Sequence, residues 1–466
     1  MTKTYDLTVI GGGPGGYTAA LQAAERGHKV ALIEEDFLGG TCLNRGCIPS
    51  KTLLKHAEVI ESIEKAKSWG IETGEMVLSF DKMRKRKDDV IEKLRGGIAF
   101  LLKQGKIDVY NGRGTAVTKN RIDIKKQDGS ETIETKELII ATGSSPAIPP
   151  IPGLKEIQFD TSDTIFDIPD IPASVVIIGG GVIGLELACI FQSLQSKVTI
   201  IEAAPSIIPQ EDEEASKLLE KELKKKGIHI AKKTTVTEVT ESEGVKAIHA
   251  TDDKGETHIF TAERLLVCVG RRPNVSAVSQ LDLQLDGPFI KVNDEMKTSA
   301  EGVYAIGDVA GGYQLAHAAM AEAAVAVSNI CGEPERMNHD IVPRCIYTLP
   351  EVASVGLTEK EAKAKGLNVR AERFDLAASG KALAAGVQTG FIKLVYDTVY
   401  GEVIGATMVG PHVTEMISEA SSFMYLEGTA EEMAKMIHPH PTISEGFYEA
   451  ALDIVSKLRK YMPNKG

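Results

Sequence analysis

The stretch VIGGGPGGYTAALQAAERGHKVALIE at residues 9–34 returns as IIGGGVIGLELACIFQSLQSKVTIIE at residues 177–202, at a constant offset of 168 residues and without a gap. Each copy reads as an apolar strand, a glycine-rich turn, an amphipathic helix and a second strand that ends in an acid. Glycines with the spacing GxGxxG in that context are typical of a dinucleotide-binding βαβ unit. The repeat therefore predicts two such units in one chain.

The glycines of each copy have separate mechanical tasks. The first allows a tight turn, the second lets a pyrophosphate approach the backbone, and the third lets the helix lie against the strand. In chain order they are Gly11, Gly13 and Gly16 in the first copy and Gly179, Gly181 and Gly184 in the second. Both copies also keep the closing acid, Glu34 or Glu202. Since neither copy has lost a residue, we expect two bound dinucleotides rather than one site and a decayed duplicate.

Glu202 also bears on the kind of nicotinamide cofactor. A carboxylate at that strand end accepts hydrogen bonds from ribose hydroxyls and repels a 2′-phosphate. The residues that follow, AAPSIIPQ at 203–210, supply no basic side chain to bind such a phosphate. The second unit is therefore predicted to take NAD rather than NADP.

Composition narrows the class of protein. The chain has 466 residues, with 53 basic and 65 acidic side chains and a formal net charge of −12, so it is long enough for two to four domains. The negative charge argues against nucleic acid or an anionic membrane as a partner. No cleavable leader and no apolar run long enough to span a bilayer are apparent. We expect a cytoplasmic protein.

Two cysteines stand five positions apart in GGTCLNRGCIPSK, residues 39–51. A zinc site would need further ligands. A purely structural disulfide across so short a loop would add only about 2 kcal/mol to the free energy of unfolding. Cytosolic disulfides are usually transient or catalytic, so Cys42 and Cys47 are predicted to be a redox pair, and no metal site is expected. A helix start, Lys51 and Arg45 would all favour the thiolate.

The other cysteines are predicted to act as small buried apolar residues. Cys189 and Cys268 lie in apolar helix and strand patterns, and Cys331 and Cys345 stand apart in the sequence from any histidine or second cysteine.

Two later stretches add candidate ligands and bases. TSAEGVYAIGDVAGGYQLAHAAMAEA at 298–323 is a further strand, turn and helix, with Asp308 placed to bind a ribose or ribityl chain. HPHPTISE at 438–445 taken alone is an ordinary polar loop, or a weak metal pair of His438 and His440. Beside a thiol pair and two nucleotide units, it is better interpreted as an acid/base dyad of His440 and Glu445.

Together these motifs resemble the pyridine nucleotide-disulfide oxidoreductase family over essentially the whole chain. The most specific element is the Cys-x4-Cys stretch after the first unit, supported by ATGS (141–144), GRRPN (270–274), AIGD (305–308) and HPHPTISE. Within the family the chain is most similar to the branch that oxidises protein-bound dihydrolipoamide. That implies an α/β fold of two Rossmann-like dinucleotide-binding domains with a C-terminal α+β dimerisation domain.

The resemblance implies domain bounds and cofactors. The expected domains are 1–149 (FAD-binding, first part), 150–274 (NAD-binding), 275–346 (FAD-binding and central, second part) and 347–466 (interface). Around FAD it places Gly11, Gly13, Gly16, Glu34, Thr41, Lys51, Gly114, Thr142, Gly143, Ser144, Asp308, Gln314, Leu315, Ala316 and His317. Around NAD it places Gly179, Gly181, Gly184, Glu186, Glu202 and Gly270, with Glu186 also pairing with Lys51.

It further implies that His440 is the acid/base, that Glu445 orients it, and that the dyad reaches the disulfide of a second subunit in a homodimer. The expected partners are lipoyl domains of 2-oxoacid dehydrogenase or glycine-cleavage complexes. The alternatives are another disulfide reductase, such as a glutathione or mercuric reductase, and a non-catalytic dinucleotide-binding scaffold. Glu202 disfavours an NADPH-dependent enzyme, and no further cysteine pair follows Cys345.

Two positions depart from the family pattern. Arg45 stands where relatives often carry valine, and Leu349 where many carry histidine. Arg45 is expected to shift the thiolate potential or the substrate entrance, and so the rate and redox poise rather than the reaction type.

Overall fold

The first dinucleotide unit forms because β-branched and apolar residues fill two short strands on either side of an alanine-rich helix. The computed structural model describes residues 2–461. In its first segment the strands are β1 (Lys3–Ile10), β2 (Val30–Glu34), β3 (Asp108–Asn111), β4 (Arg113–Thr118), β5 (Arg121–Lys126), β6 (Gly129–Ile140) and β7 (Ser144–Pro146), and the helices are α1 (Pro14–Glu25), α2 (Gly40–Arg45), α3 (Cys47–Ala66) and α4 (Phe80–Gln104).

The second segment repeats the plan. Its strands are β8 (Asp160–Thr161), β9 (Ser174–Ile178), β10 (Lys197–Glu202), β11 (His229–Lys232), β12 (Thr234–Ser242), β13 (Val245–Asp252), β14 (Thr257–Ala262), β15 (Arg264–Val267) and β16 (Arg271–Pro273), and its helices are α5 (Val182–Ser193) and α6 (Glu213–Lys225). The chain then returns to the first domain through β17 (Leu285–Asp286), β18 (Phe289–Ile290), β19 (Val303–Ala305) and α7 (Ala316–Ile330).

The C-terminal part is α+β. It contains β20 (Arg344–Ile346), β21 (Glu351–Gly356), β22 (Val369–Asp375), β23 (Phe391–Asp397) and β24 (Val403–Gly410), with α8 (Glu359–Ala364), α9 (Gly380–Ala384), α10 (Val413–Tyr425), α11 (Ala430–Lys435) and α12 (Glu445–Tyr461).

The sheets have the connectivity of two doubly wound units and an antiparallel third layer. The first runs β3-β2-β1-β6-β5-β4, with β19 also on β6; β3, β2, β1, residues 133–140 of β6 and β19 are parallel. The second is β11-β10-β9-β15-β8 and wholly parallel. The C-terminal sheet, β20-β21-β24-β23-β22, is antiparallel. The predicted fold class is confirmed.

The chain passes between the two nucleotide units at a pair of short strands. β7 and β16 lie antiparallel, with Ser144 opposite Pro273 and Pro146 opposite Arg271. The segment ATGSSP therefore meets the segment GRRPN, although the paired residues are 125 to 129 positions apart in the sequence. The two nucleotide sites are consequently neighbours at this crossover, although the sequence separates them widely.

One apolar core is shared by all three parts of the molecule. It includes Leu53 and Leu54 of α3, Leu187 of α5 and Val409 of β24. Because α3 begins at Cys47, this core fixes the cysteine-bearing helix against the helix of the second nucleotide unit. Along residues 2–461, none of the helices combines the length and the apolar character that crossing a membrane would take.

Candidate active site

The first and third glycines of each unit are required by the backbone. Gly11 has φ +108° and Gly179 has φ +112°, and a Cβ at either would lie 2.2 Å from the carbonyl oxygen of the residue that directly follows the neighbouring strand, Ala141 after β6 or Cys268 after β15. A Cβ at Gly16 would lie 1.8 Å from the oxygen of Gly11, and one at Gly184 would lie 2.2 Å from that of Gly179. The turn and the contact between helix and strand therefore both exclude a side chain.

The second glycine of each unit faces open space instead. Gly13 and Gly181 have extended backbone that any residue adopts. A Cβ at Gly13 would come no closer than 3.9 Å to another heavy atom, and a Cβ at Gly181 would meet nothing within 4 Å. This space lies at the N-terminus of α1 or α5, where backbone N–H groups and the helix dipole favour an anion. It has the place and character that a pyrophosphate needs.

The closing acids are held in the same way in both units. Glu34 accepts backbone N–H groups from Gly12 (2.6 Å) and Asp36 (2.8 Å). Glu202 accepts them from Gly180 (2.6 Å) and Ala204 (2.6 Å). Each carboxylate is thus fixed at the strand end and keeps lone pairs for ribose hydroxyls. The repeat extends from the sequence to individual hydrogen bonds.

The first unit opens into a cavity of about 700 Å³. Its lining contains all but one of the residues expected around FAD: Gly11, Gly13, Gly16, Glu34, Thr41, Lys51, Thr142, Gly143, Ser144, Asp308, Gln314, Leu315, Ala316 and His317. The exception is Gly114, which packs on β4 against Ile10 and Ile33. The amide nitrogen of Gln314 is buried without a hydrogen-bond partner. Because a buried donor requires an acceptor, this cavity fits a polar ligand such as a dinucleotide.

The second unit opens into a cleft of about 500 Å³. Gly179, Gly181, Glu202 and Gly270 line it, whereas Gly184 lies beneath the turn. Among the described residues of the lining, Glu202 and Glu211 are acidic and none is basic. A 2′-phosphate would therefore find no cation there, which agrees with NAD rather than NADP.

The two cysteines are joined as a disulfide, with their Cα atoms 4.7 Å apart. Cys42 lies in α2 and Cys47 is the first residue of α3, as the sequence predicted for a helix start. Both line the same cavity as Lys51. A disulfide that lines a cofactor-sized cavity can exchange electrons with what that cavity holds.

Glu186 does not lie in the second cleft but reaches the first cavity, where it binds Lys51. The ammonium of Lys51 is 2.8 and 3.0 Å from the two carboxylate oxygens. Glu186 also accepts the hydroxyl of Ser50 (2.9 Å) and the backbone N–H of Tyr347 (3.0 Å), and the Tyr347 ring faces the ammonium at 4.3 Å. This buried carboxylate is fully satisfied, so the ammonium is held at a fixed point of the cavity wall.

Asp308 belongs to a second network that sequence reasoning did not foresee. It accepts the hydroxyl of Ser144, and Arg271 donates to that hydroxyl (2.7 Å) and to the Ser144 carbonyl (2.7 Å). Glu322 of α7 binds the backbone N–H of Gly307 (2.6 Å), directly before Asp308. Burial, assisted by the nearby Asp308 carboxylate, raises the pKa of Glu322 to about 7. Arg271 was signalled by the motif GRRPN, but nothing local revealed its partners.

His440 and Glu445 form the predicted dyad. The Nδ1 atom of His440 lies 2.8 Å from a Glu445 oxygen, and the other oxygen accepts the Thr442 backbone N–H at 2.8 Å. These two contacts lower the pKa of Glu445 and keep it anionic. His438 instead binds Glu419 at 2.7 Å, which argues against a metal pair of the two histidines. The His440 side chain is 82% exposed and does not line the cavity that contains the disulfide of its own chain.

Of the other four cysteines, Cys189 is buried as predicted, whereas Cys268, Cys331 and Cys345 are only half-buried, so the prediction of burial was wrong for these three. Burial raises the pKa of Cys189 and of Cys345 to about 11 and that of Cys268 to about 12. Cys331 requires a correction, because its sulfur lies 3.3 Å from the Nε2 atom of His28. The sequence placed it apart from any histidine. Packing of α7 on α1 brings the two together across 303 residues.

Comparison with known proteins places this geometry in context. The family model described as pyridine nucleotide-disulphide oxidoreductase matches residues 5–323, and the model for the dimerisation domain of the same proteins matches residues 342–451. A dihydrolipoyl dehydrogenase from Bacillus subtilis (strain 168) is 43% identical over 470 residues, covering 97% of this chain and 98% of the relative. A dihydrolipoyl dehydrogenase from Thermus scotoductus is 40% identical over 455 residues, covering 96% and 97%.

A solved structure is also similar. The Cu(II) complex of the HOCl-induced flavoprotein disulfide reductase RclA from Escherichia coli has a TM-score of 0.87 at 27% sequence identity. The match covers 97% of this chain and 99% of that one. The likeness therefore extends over all three parts of the molecule.

Proposed function

Because the chain belongs to the pyridine nucleotide-disulphide oxidoreductase family, we propose that it is a dihydrolipoyl dehydrogenase, which oxidises protein-bound dihydrolipoamide to lipoamide and reduces NAD⁺. The observation that supports this most directly is the position of the disulfide. Cys42 and Cys47 line a dinucleotide-sized cavity, and Val182 at the start of α5 lines both that cavity and the NAD cleft. The first cavity thus borders the disulfide and also the NAD cleft, so a single cofactor bound in it could pass electrons from the thiols to the nicotinamide.

FAD is the cofactor that this cavity would hold, and when bound it supplies the two-electron couple between the dithiol and NAD⁺. The chain's own residues bind and orient it. Gly13 would leave space for the pyrophosphate, Glu34 would accept hydrogen bonds from the ribose hydroxyls, and Asp308 with Gln314 would supply hydrogen bonds further along the cavity. The Lys51–Glu186 pair places a fixed cation on the wall near Cys47.

The disulfide and the dyad perform the thiol steps. His440 removes a proton from one thiol of dihydrolipoamide, and Glu445 stabilises the charge that the imidazole gains. The substrate thiolate attacks Cys42, breaks the bond between Cys42 and Cys47, and forms a mixed disulfide. The second substrate thiol then displaces Cys42 and lipoamide is released. The proton of that thiol passes to the Cys42 sulfur that it displaces, so that the protein holds a thiol at Cys42, a thiolate at Cys47 and a protonated His440.

We further propose that the functional unit is a homodimer in which His440 of one subunit serves the disulfide of the other. The matching dimerisation domain spans residues 342–451, and it contains His440 and Glu445. In a single chain His440 is exposed, and neither His440 nor Glu445 lines the cavity with the disulfide. A second subunit would bring the base to the thiols and exclude water from the exchange.

The test is steady-state turnover of free dihydrolipoamide and of a lipoyl domain that carries dihydrolipoamide, each with NAD⁺ and with NADP⁺. Turnover with NAD⁺ in both cases, lost in Cys42→Ser and Cys47→Ser, is the expected result. Oxidised glutathione with NADPH serves as the competing assay. Efficient glutathione reduction without dihydrolipoamide oxidation would replace the proposal with a glutathione reductase, and a protein that binds both nucleotides without turnover would be a scaffold.

A further inference from the structure

Arg45 lies between the two cysteines in the sequence but makes its ion pair elsewhere. Its guanidinium binds the carboxylate of Asp36, and both side chains are 40% exposed. Asp36 belongs to the loop that follows β2. Its backbone N–H is one of the two donors that hold Glu34. The positive charge of Arg45 thus lies against the loop next to Glu34, the acid that is expected to bind the ribose.

From this placement we propose that Arg45 is a positioning residue for the dinucleotide of the first unit and does not tune the thiols. Arg45, Asp36 and Glu34 all line the cavity, at the end where the first glycine turn lies. The ion pair closes the loop after β2 against α2 and so retains FAD by its ADP half. This inference rests on the proposed binding of FAD in that cavity.

Contacts of neighbouring residues also hold the loop after β2 against α2 and α4. Asn44, directly before Arg45, donates to the carbonyls of Gly40 (2.8 Å) and Leu38 (3.1 Å). Arg95 of α4 donates to the Asn44 side chain at 2.6 Å, and its guanidinium lies 4.0 Å from the centre of the Phe37 ring. The loop at residues 35–39 is therefore bound by α2 and α4 together, and Arg45 supplies the charged part of that attachment.

The second unit provides an internal comparison. Ala204 takes the place of Asp36, since its N–H is the second donor to Glu202. Alanine has no charge with which to form an equivalent ion pair. The first unit, which is expected to keep its FAD, therefore has the ion pair. The second unit, from which NAD must leave at every turnover, has no ion pair at that position.

The experiment compares flavin release from holoenzymes, followed by the rise in flavin fluorescence after dilution. Arg45→Val and Asp36→Asn should each release FAD about two- to fivefold faster than the wild type, which is the range for an exposed ion pair. The double variant should be no faster than the faster single one, and Arg45→Lys should restore most of the difference. High salt should accelerate the wild type but barely affect Arg45→Val.

The matched control is Arg121→Val, which removes an exposed arginine of the same domain that is paired with Asp123 and lies outside the cavity lining. Equal release from Arg45→Val and Arg121→Val overturns the proposal. So does a shifted pH midpoint of the thiolate–flavin charge-transfer absorbance in Arg45→Val with unchanged release, because that would assign Arg45 to the thiols. A wild type purified without flavin would refute the proposed function itself, and that outcome is seen before any variant is made.

Discussion

Replacing Gly181 with alanine should separate nucleotide binding from folding. The backbone of Gly181 has φ −79° and ψ 179°, which alanine adopts without strain. A Cβ there would meet no atom within 4 Å. The variant should therefore fold as well as the wild type, or be more stable by about 0.4–1 kcal/mol because the unfolded chain loses freedom.

The loss should appear in binding. The new methyl group occupies the space where a pyrophosphate would approach the first N–H groups of α5. If two charge-assisted hydrogen bonds are lost, at about 1.5 kcal/mol each, the binding free energy falls by about 3 kcal/mol. That corresponds to about a hundredfold increase in KM for NAD⁺. The flavin spectrum and the reduction of the disulfide by dihydrolipoamide should not change.

The assay is steady-state kinetics in NAD⁺, beside urea unfolding and the visible spectrum. Gly179→Ala is the contrasting variant, because φ +112° and a contact of 2.2 Å with the Cys268 oxygen should prevent normal folding. Gly13→Ala should show the mirror image in the first unit, with a folded protein that retains little flavin. A KM for NAD⁺ in Gly181→Ala that stays close to the wild-type value would refute the assignment of the cleft.

Three further predictions concern the networks of the site. Lys51→Met leaves Glu186 buried without its cation and should cost about 3 kcal/mol in urea unfolding, whereas adding Glu186→Gln should recover most of that loss. The pKa of Glu322 is about 7 in the folded protein against 4.5 for a free glutamate, so between these pH values the folded state binds a proton that the unfolded state has lost. This group therefore lowers the free energy of unfolding as pH rises from 4.5 to 7, and Glu322→Gln should gain up to about 3 kcal/mol relative to the wild type across that interval. Parallel pH profiles of unfolding for the two proteins would contradict the prediction. His440→Gln should lower kcat/KM for dihydrolipoamide by a factor of about 10²–10⁴, and Glu445→Gln should lower it by less. The unfolding curve of His440→Gln should not change, because the His440 side chain is 82% exposed. Near-normal turnover in His440→Gln would show that His440 is not the base.

The sequence determined those features that depend on neighbours along the chain. Glycine spacing, strand and helix periodicity and the closing acid are local, and they predicted both nucleotide units down to Gly11 and Gly179. The thiol pair and the helix that begins at Cys47 followed from one short segment. The contact between His440 and Glu445 is also local, since five positions separate them, but the segment alone favoured a polar loop, and the dyad was inferred from the thiol pair and the two nucleotide units.

Only the tertiary structure decided which side chains meet across domains. Glu186 binds Lys51 across 135 residues, and Arg271 binds Ser144 across 127. The same limit holds within one unit, because the position of Arg45 between the cysteines suggested a thiol role while its guanidinium lies on Asp36, nine residues away. A side chain's charge acts through distance in space. That distance is set by how α3 and α5 pack on the shared core and by how α2 packs against α3 and α4, and no local pattern of residues encodes this packing.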